Sequence, residues 1–253
     1  MGLLDGTVLL VSGGTQGVGA AVARAAVREG AQVTVSGRRA DVGEKVAADI
    51  GAQFVAADVA DPEQALASVA AVVDAHGRID ALVNAAGLTD RGTLLDTTPE
   101  LFDRHVAVNL RGPFFTMQAA VADMVGRGAP GSVVNVISSS ELGGQPYLAP
   151  YVAAKAGLAG LTRNAAHAHR YDRVRINGLD IGWTDTEGED ATQRAFHDAG
   201  DTWRSDAAAR LPMGKLGQAD EVADVVVFLL SPRSGVVTGS VIDWDQNVLG
   251  GLD

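Results

Sequence analysis

The sequence predicts an α/β fold: a doubly wound parallel sheet of about seven strands, flanked by helices and carrying one lid-like insertion. Three observations predict it. Apolar runs of strand length alternate with segments of helical period along the chain. The composition is 47% hydrophobic but only 5% aromatic, Ala- and Val-rich, as strands buried on both faces require. A glycine-rich turn, Ser12-Gly13-Gly14-Thr15-Gln16-Gly17-Val18-Gly19, stands where the first strand would meet the first helix.

The elements come in a regular order. The apolar run 7–12 is a strand, and 17–28 a helix opened by the glycine turn. The alternating run 32–36 is a second strand, 42–50 a helix and 53–56 a third strand. Pro62 opens a helix over 62–75, with Asp61 placed to cap it. A strand over 81–84 precedes a long helix over 99–125 that starts at Pro99, and a strand over 132–138 precedes a helix over 150–169 that starts at Pro150. The last elements are a strand over 175–179, a helix over 219–230 and a strand over 240–243. This alternation implies right-handed crossovers. No composition break or repeat divides the chain, so residues 1–253 are expected to form one domain. The stretch 182–216 is the exception: between 185 and 206 it has seven Asp or Glu against two Arg. Placed beyond the carboxyl end of a strand, it is expected to be a mobile lid, the alternative being a solvated acidic surface helix.

Composition excludes several function classes. Twenty Lys and Arg against 31 Asp and Glu leave a net charge of −11, a field that repels nucleic acid and anionic membranes. With no Cys there are no disulfides, no thiolate catalysis and no Cys-bound zinc. The five His show no ligand spacing, and no metal site is expected. The N-terminus has no secretory pattern and no apolar run reaches spanning length, which predicts a soluble, cytoplasmic protein.

The residues that carry chemistry come in one order. Gly13, Gly17 and Gly19 allow a tight turn, a close backbone approach to a pyrophosphate and a helix N-terminus facing the anion. Asn84-Ala85-Ala86-Gly87 closes the fourth strand, Val108-Asn109-Leu110 lies in the long helix, and Asn135-Val136-Ile137-Ser138 ends the fifth strand. Tyr151-Val152-Ala153-Ala154-Lys155 comes next, then Arg175-Ile176-Asn177, the segment Gly182 to Thr186, and Thr238-Gly239. Tyr151 and Lys155 stand one helical turn apart and so share a face. A free phenol titrates near pH 10; the Lys155 charge and the helix N-terminus behind Pro150 should both favour its phenolate.

With G-x-x-x-G-x-G glycines and Tyr-x-x-x-Lys, the chain resembles the short-chain dehydrogenase/reductase family over nearly its whole length. The resemblance implies a Rossmann-type fold and hydride exchange between NADP(H) or NAD(H) and a secondary alcohol or ketone. It implies that Tyr151 moves the substrate proton and that Lys155 also holds the nicotinamide ribose. It gives Ser138 the substrate oxygen and Asn109 a water next to the lysine. Ser138 precedes Tyr151 by thirteen positions, as in most of the family, which selects it over Ser139 and Ser140. The cofactor would meet Gly13, Thr15, Gln16, Gly17, Val18 and Gly19, then Asp58 (at the adenine) and Val59. It would go on to Asn84, Ala85, Ala86 and Gly87, and to Ile181, Gly182, Thr184 and Thr186.

Cofactor choice turns on the end of the second strand, where NAD-preferring relatives place an acid for the ribose 2′-OH. Here Gly37 takes that place and Arg38 comes next, a forked cation suited to a 2′-phosphate, so NADP(H) is favoured. NAD(H) stays open, because Gln16 stands where many NADP-dependent relatives are basic. Two departures point to a distinct subgroup: Asp180-Ile181-Gly182 where Pro-Gly is common, and Asp245-Gln246-Asn247 where Asp-Gly-Gly is common.

Ser140, Glu141, Gln145 and Tyr147 after Ser138, and Trp183 and His197 on the lid side, predict a small polar substrate such as a polyol or sugar. Asp180 and Asp185 add to that polar character. The alternatives are a 3-oxoacyl-carrier-protein reductase, which the negative charge disfavours, and a non-catalytic dinucleotide-binding regulator, which typically loses the Tyr or the Lys. Apolar residues on several faces of the two long helices (Phe114, Phe115, Met117; Leu158, Leu161) predict a homotetramer.

Overall fold

The computed structural model of the chain describes residues 2–248. Seven strands form its centre: β1 Val8–Ser12, β2 Gln32–Gly37, β3 Gln53–Ala56, β4 Ala81–Asn84, β5 Gly131–Val136, β6 Val174–Ile181 and β9 Val241–Trp244. They make one sheet in the order β3-β2-β1-β4-β5-β6-β9 with every pair parallel. Helices α1 Gly17–Arg28, α2 Ala40–Ile50, α3 Pro62–His76, α4 Pro99–Val106, α5 Gly112–Gly126, α6 Ala149–His169 and α9 Ala219–Leu230 make the crossovers. Two short helices, α7 Glu187–Phe196 and α8 Trp203–Ala208, lie after β6 beside a small ladder of β7 Thr184–Asp185 with β8 Gly217–Gln218.

Strand alternation divides the core cleanly. Leu9, Val11, Val33, Val35, Val83, Val134 and Leu179 face α1 and α9; Val8, Leu10, Leu82, Val133 and Ile176 face α3, α5 and α6. Asp61 caps α3, accepting from the Glu63 N–H at 2.9 Å, and Thr98 caps α4 at Leu101.

Three elements differ from expectation. The helix expected over 99–125 is interrupted by a π-turn at Ala107–Arg111. Pro113 cannot donate a main-chain hydrogen bond into the turn before it, and the wider turn accommodates that loss. The fifth strand stops at Val136, and Ser138 begins a short 3₁₀ helix, Ser139–Leu142, accepting from the Ser140 N–H at 3.3 Å. The sixth strand runs on to Ile181, in register with Trp244 of β9. The ladder to β9 is carried at this end by the Gly182 N–H, which donates to the Trp244 carbonyl at 3.1 Å.

Stretch 182–216 is structured around a satellite core of Trp203, Ala207 and Leu216, with Trp183 stacked on Trp203 at 6.2 Å. Two of its arginines bridge its acids: Arg204 to Asp185 and Asp190, Arg194 to Asp190 and Asp201. Among the residues read as an oligomer face, Met117 and Leu158 are buried in the chain's own core, while Phe114 is 42% exposed. Among the described residues, no helix is long and apolar enough to cross a membrane.

Candidate active site

Every strand of the sheet's centre ends on the same cleft, about 1550 Å³ in volume. Residues just beyond the carboxyl ends line it: Gly13 after β1, Arg38 after β2, Asp58 after β3, Ala85 after β4, Ile137 after β5 and Gly182 after β6.

The floor under the first helix is built by absent side chains. Gly13 has φ +79°, and a Cβ there would lie 2.4 Å from the Ala86 main-chain nitrogen. A Cβ on Gly19 would lie 2.2 Å from the Gly13 carbonyl oxygen, so helix and turn touch backbone to backbone. Gln16 precedes α1 without a side-chain cap, which leaves the first-turn N–H groups facing the cleft for an anion. Its amide oxygen instead accepts from the Arg39 guanidinium. Thus Arg39 and Arg38 both border the cleft, and the neighbour of the expected arginine is the one that touches the glycine turn. A backbone cradle with two cations fits a dinucleotide's phosphates.

On the opposite wall Ser138, Tyr151 and Lys155 come together. Pro150 sits in the first turn of α6, and Tyr151 and Lys155 lie beyond it on the inner face, 8% and 4% exposed. The Lys155 ammonium donates to the Val136 carbonyl at 2.8 Å and lies 5.7 Å from the centre of the Tyr151 ring. It sits over the face of the ring, and burial dominates both groups. Burial pushes the Tyr151 phenol up to about 12, with Ser138 acting in the opposite sense and Glu189 and Asp180 adding to the rise. Burial pulls Lys155 down to about 8, opposed by Asp180. The expected lowering of the tyrosine by its lysine is therefore outweighed in the protein alone.

Asn109 sits in the π-turn, fully buried, and does not line the cleft. Its amide is spent on the next loop: Oδ1 accepts from the Leu88 N–H and Nδ2 donates to the Leu88 carbonyl, both at 3.0 Å. Nδ2 also lies 3.2 Å from Nδ1 of His105, whose Nε2 is 3.1 Å from the Asp90 carbonyl. That ring stands edge-on to Tyr151 at 6.2 Å, and burial pulls it below the ordinary histidine range. The Asn109 amide thus fastens the loop beside the tyrosine.

Most of the other expected residues line the cleft: Thr15, Gln16, Gly17, Val18, Val59, Ala86, Gly87, Ile181, Thr184 and Thr186, and, on the substrate side, Ser140, Gln145, Tyr147, Trp183 and His197. Two do not. Asn84 is buried in a polar chain across the sheet, donating to Asn135 at 2.9 Å and accepting from Thr116 at 2.7 Å. Glu141 turns away with the 3₁₀ helix and is absent from the cleft lining.

Sequence reasoning missed Arg91 and Glu189. The Gly92–Leu148 bridge brings Arg91 against Tyr147, 5.2 Å from the ring centre, and its guanidinium reaches His197 Nε2 at 3.1 Å. Glu189 accepts from the Trp183 indole at 2.7 Å. Arg91 lies four residues after the Asn84–Gly87 turn, the one local signal that it stands at the cleft.

Comparison with known proteins agrees with this architecture. Residues 13–247 match the family model described as "Enoyl-(Acyl carrier protein) reductase". The chain is 32% identical to a sorbitol dehydrogenase of Cereibacter sphaeroides over 96% of this chain and 97% of that one. It is 36% identical to an L-rhamnose 1-dehydrogenase (NAD(P)(+)) of Azotobacter vinelandii (strain DJ / ATCC BAA-1303), over 94% of each. The solved structure of a short chain dehydrogenase/reductase family protein superposes with a TM-score of 0.84 at 38% identity, covering 96% of this chain and 97% of that one. The chain belongs to the short-chain dehydrogenase/reductase family of nicotinamide-dependent oxidoreductases.

Proposed function

We propose that the protein interconverts a small polar secondary alcohol and its ketone, a polyol or sugar, with NADP(H) as the preferred cofactor. One observation carries this reading: Ser138, Tyr151 and Lys155 converge on the wall that faces the glycine turn across a single cleft. The bound nicotinamide supplies or accepts the hydride at carbon. Tyr151 moves the accompanying proton: in reduction its phenol gives it to the oxygen, and in oxidation its phenolate takes it back. A phenol held near 12 keeps its proton at neutral pH, the form that donates. Ser138 orients the substrate oxygen and takes part of its developing charge. Among the cleft residues, Lys155 and Gly182 would hold the nicotinamide end, Asp58 the adenine end, and Arg38 with Arg39 a 2′-phosphate.

Substrate polarity is supported by the lining on both sides of Tyr151: Ser140, Gln145, Tyr147, Arg91 and Glu189. Relatives named for sorbitol and rhamnose support the same class. An acyl-carrier substrate fits less well, because a net charge of −11 repels an acidic carrier. A homotetramer is part of the proposal, resting on exposed Phe102 and Phe114; a sedimentation mass of one 26.0 kDa chain would refute it.

The test is a panel of polyols, sugars, cyclic alcohols and ketones with both cofactors, run on the protein and on Tyr151→Phe. Turnover is expected on polyols or sugars, falling about 10²–10⁴-fold in the variant with cofactor binding intact. A variant that keeps more than about a tenth of kcat overturns the proton role, and a higher kcat/KM for an apolar cyclic ketone than for every polyol and sugar overturns the substrate class.

A further inference from the structure

Asp180 is the least expected side chain near the cleft. On β6 it shares a face with Val174 and Ile176, towards α6, while Leu179 faces the opposite core. It is 1% exposed, and neither carboxyl oxygen has a hydrogen-bonding partner among the described residues. Its strand neighbour Leu179 is in register with Val136, whose carbonyl holds the Lys155 ammonium. A carboxyl is thus sealed behind the reacting wall, one residue before the Ile181-Gly182 that stands where Pro-Gly is common. Such a group is costly to bury, and stability alone gives no reason to keep it.

The charged and titratable groups around it are few. From α6 come Lys155 and Tyr151, from the 3₁₀ helix Glu141, and from β9 and its end Asp243 and Asp245. Beyond the end of β5 the Ser138 N–H favours its ionised form. Helix α5 offers only Asp123, which is held by Arg127 and the Ile79 N–H. Lys155 is the one cation in the set, and three carboxylates oppose ionisation of Asp180.

We propose that Asp180 is a positioning residue for proton transfer: its buried, unpaired carboxylate holds the charge on Lys155 and the proton on Tyr151, biasing the site toward carbonyl reduction. The inference rests on the proton role proposed for Tyr151 and deepens it. A negative charge behind the wall favours the ammonium and disfavours the phenolate, so both groups stay protonated. Burial and the neighbouring acids raise Asp180 itself to about 7. The bias is therefore fully present above that pH and fades below it as the acid takes up its proton.

The test compares the full chain with Asp180→Asn and Asp180→Ser. Both remove the charge; one keeps the shape and the other does not. The chain has only three tyrosines, so tyrosinate absorbance, read against the matching Tyr151→Phe protein, isolates the Tyr151 titration. Its midpoint is expected to fall by about one unit in both variants. The alkaline rise of kcat/KM for alcohol oxidation is expected to move down by the same amount, giving roughly tenfold faster oxidation at a fixed pH below the midpoint. The proteins should converge below about pH 7, where Asp180 is neutral. An unmoved Tyr151 midpoint in both variants overturns the proposal, as does a shift in only one of them, which would indicate shape in place of charge. The absorbance reading needs no turnover, so it separates this failure from failure of the Tyr151 proton role, which Tyr151→Phe kinetics alone decide.

Discussion

The two walls of the cleft are built on different principles. The glycine turn is held by contacts between backbones, with Gly13 against Ala86 and Gly19 against the Gly13 carbonyl. The 182–216 wall is held by side chains: two stacked tryptophans, a satellite core and four ion pairs sharing two arginines. Backbone contacts cannot be relaxed by a rotamer change, whereas surface ion pairs compete with water and salt. The glycine turn is therefore fixed by its own backbone, and the 182–216 side by contacts that a rotamer change or added salt can loosen. That division suits a family with one cofactor chemistry and many substrates.

The largest expected effect comes from breaking the rigid wall. Gly13→Ala places a methyl inside the Ala86 backbone at a positive φ, combining overpacking of about 1–3 kcal/mol with left-handed strain of about 1–2 kcal/mol. Cofactor binding, measured by nicotinamide fluorescence, should fall by about two orders of magnitude; unchanged affinity would mean that the turn is not rigid. A smaller effect concerns the arginines on that wall. Arg38→Ala should raise KM for NADP(H) about ten- to a hundredfold with little change for NAD(H), since a charge-assisted contact contributes about 1.5–3 kcal/mol. If Arg39→Ala does this and Arg38→Ala does not, the arginine bonded to Gln16 is the selector.

The smallest effect is on the side-chain wall. The indole of Trp203, then Arg194, hold the Asp190 carboxyl down to about 2 from an ordinary 3.8. A depressed acid contributes stability above its unfolded value and loses it as pH falls through the folded one. Trp203 fluorescence should therefore report loosening of α7 and α8 between about pH 4 and 2, before the sheet unfolds, and added salt should move this change to higher pH. A single transition shared with far-UV dichroism would show that the two walls melt together.

The same contrast explains what could be read from the sequence. Features written in consecutive residues were legible: the alternation of β1 to α3, the Asp61 cap, the glycine turn, and the Tyr151–Lys155 spacing on one helix face. Features decided by what lies opposite were not. Asn84 looks like a site residue from its motif, yet the register of β4 with β5 turns it onto Asn135. Glu141 and Arg91 exchange expectations because a 3₁₀ turn carries one away and the Gly92–Leu148 bridge brings the other in. The burial of Asp180 depends on β9 pairing alongside β6 as far as Ile181. The interruption at Ala107–Arg111 was hidden because the apolar pattern continues through it, and Pro113 was the only local sign.

That π-turn also sets the helical phase of every residue after it in the segment. A π-turn holds one residue more than an α-turn, and a residue inserted into an α-helix rotates the remainder of the helix by roughly 100°. Before the turn α4 packs against α6; after it α5 packs against α3. Deleting one residue between 107 and 111 would remove the wider turn while swinging Met117 and Val121 away from the core and Phe114 toward a new side. The length of this connection is therefore a coordinate of the fold: an indel here acts as a rotation, and the turn lets one continuous segment serve two layers.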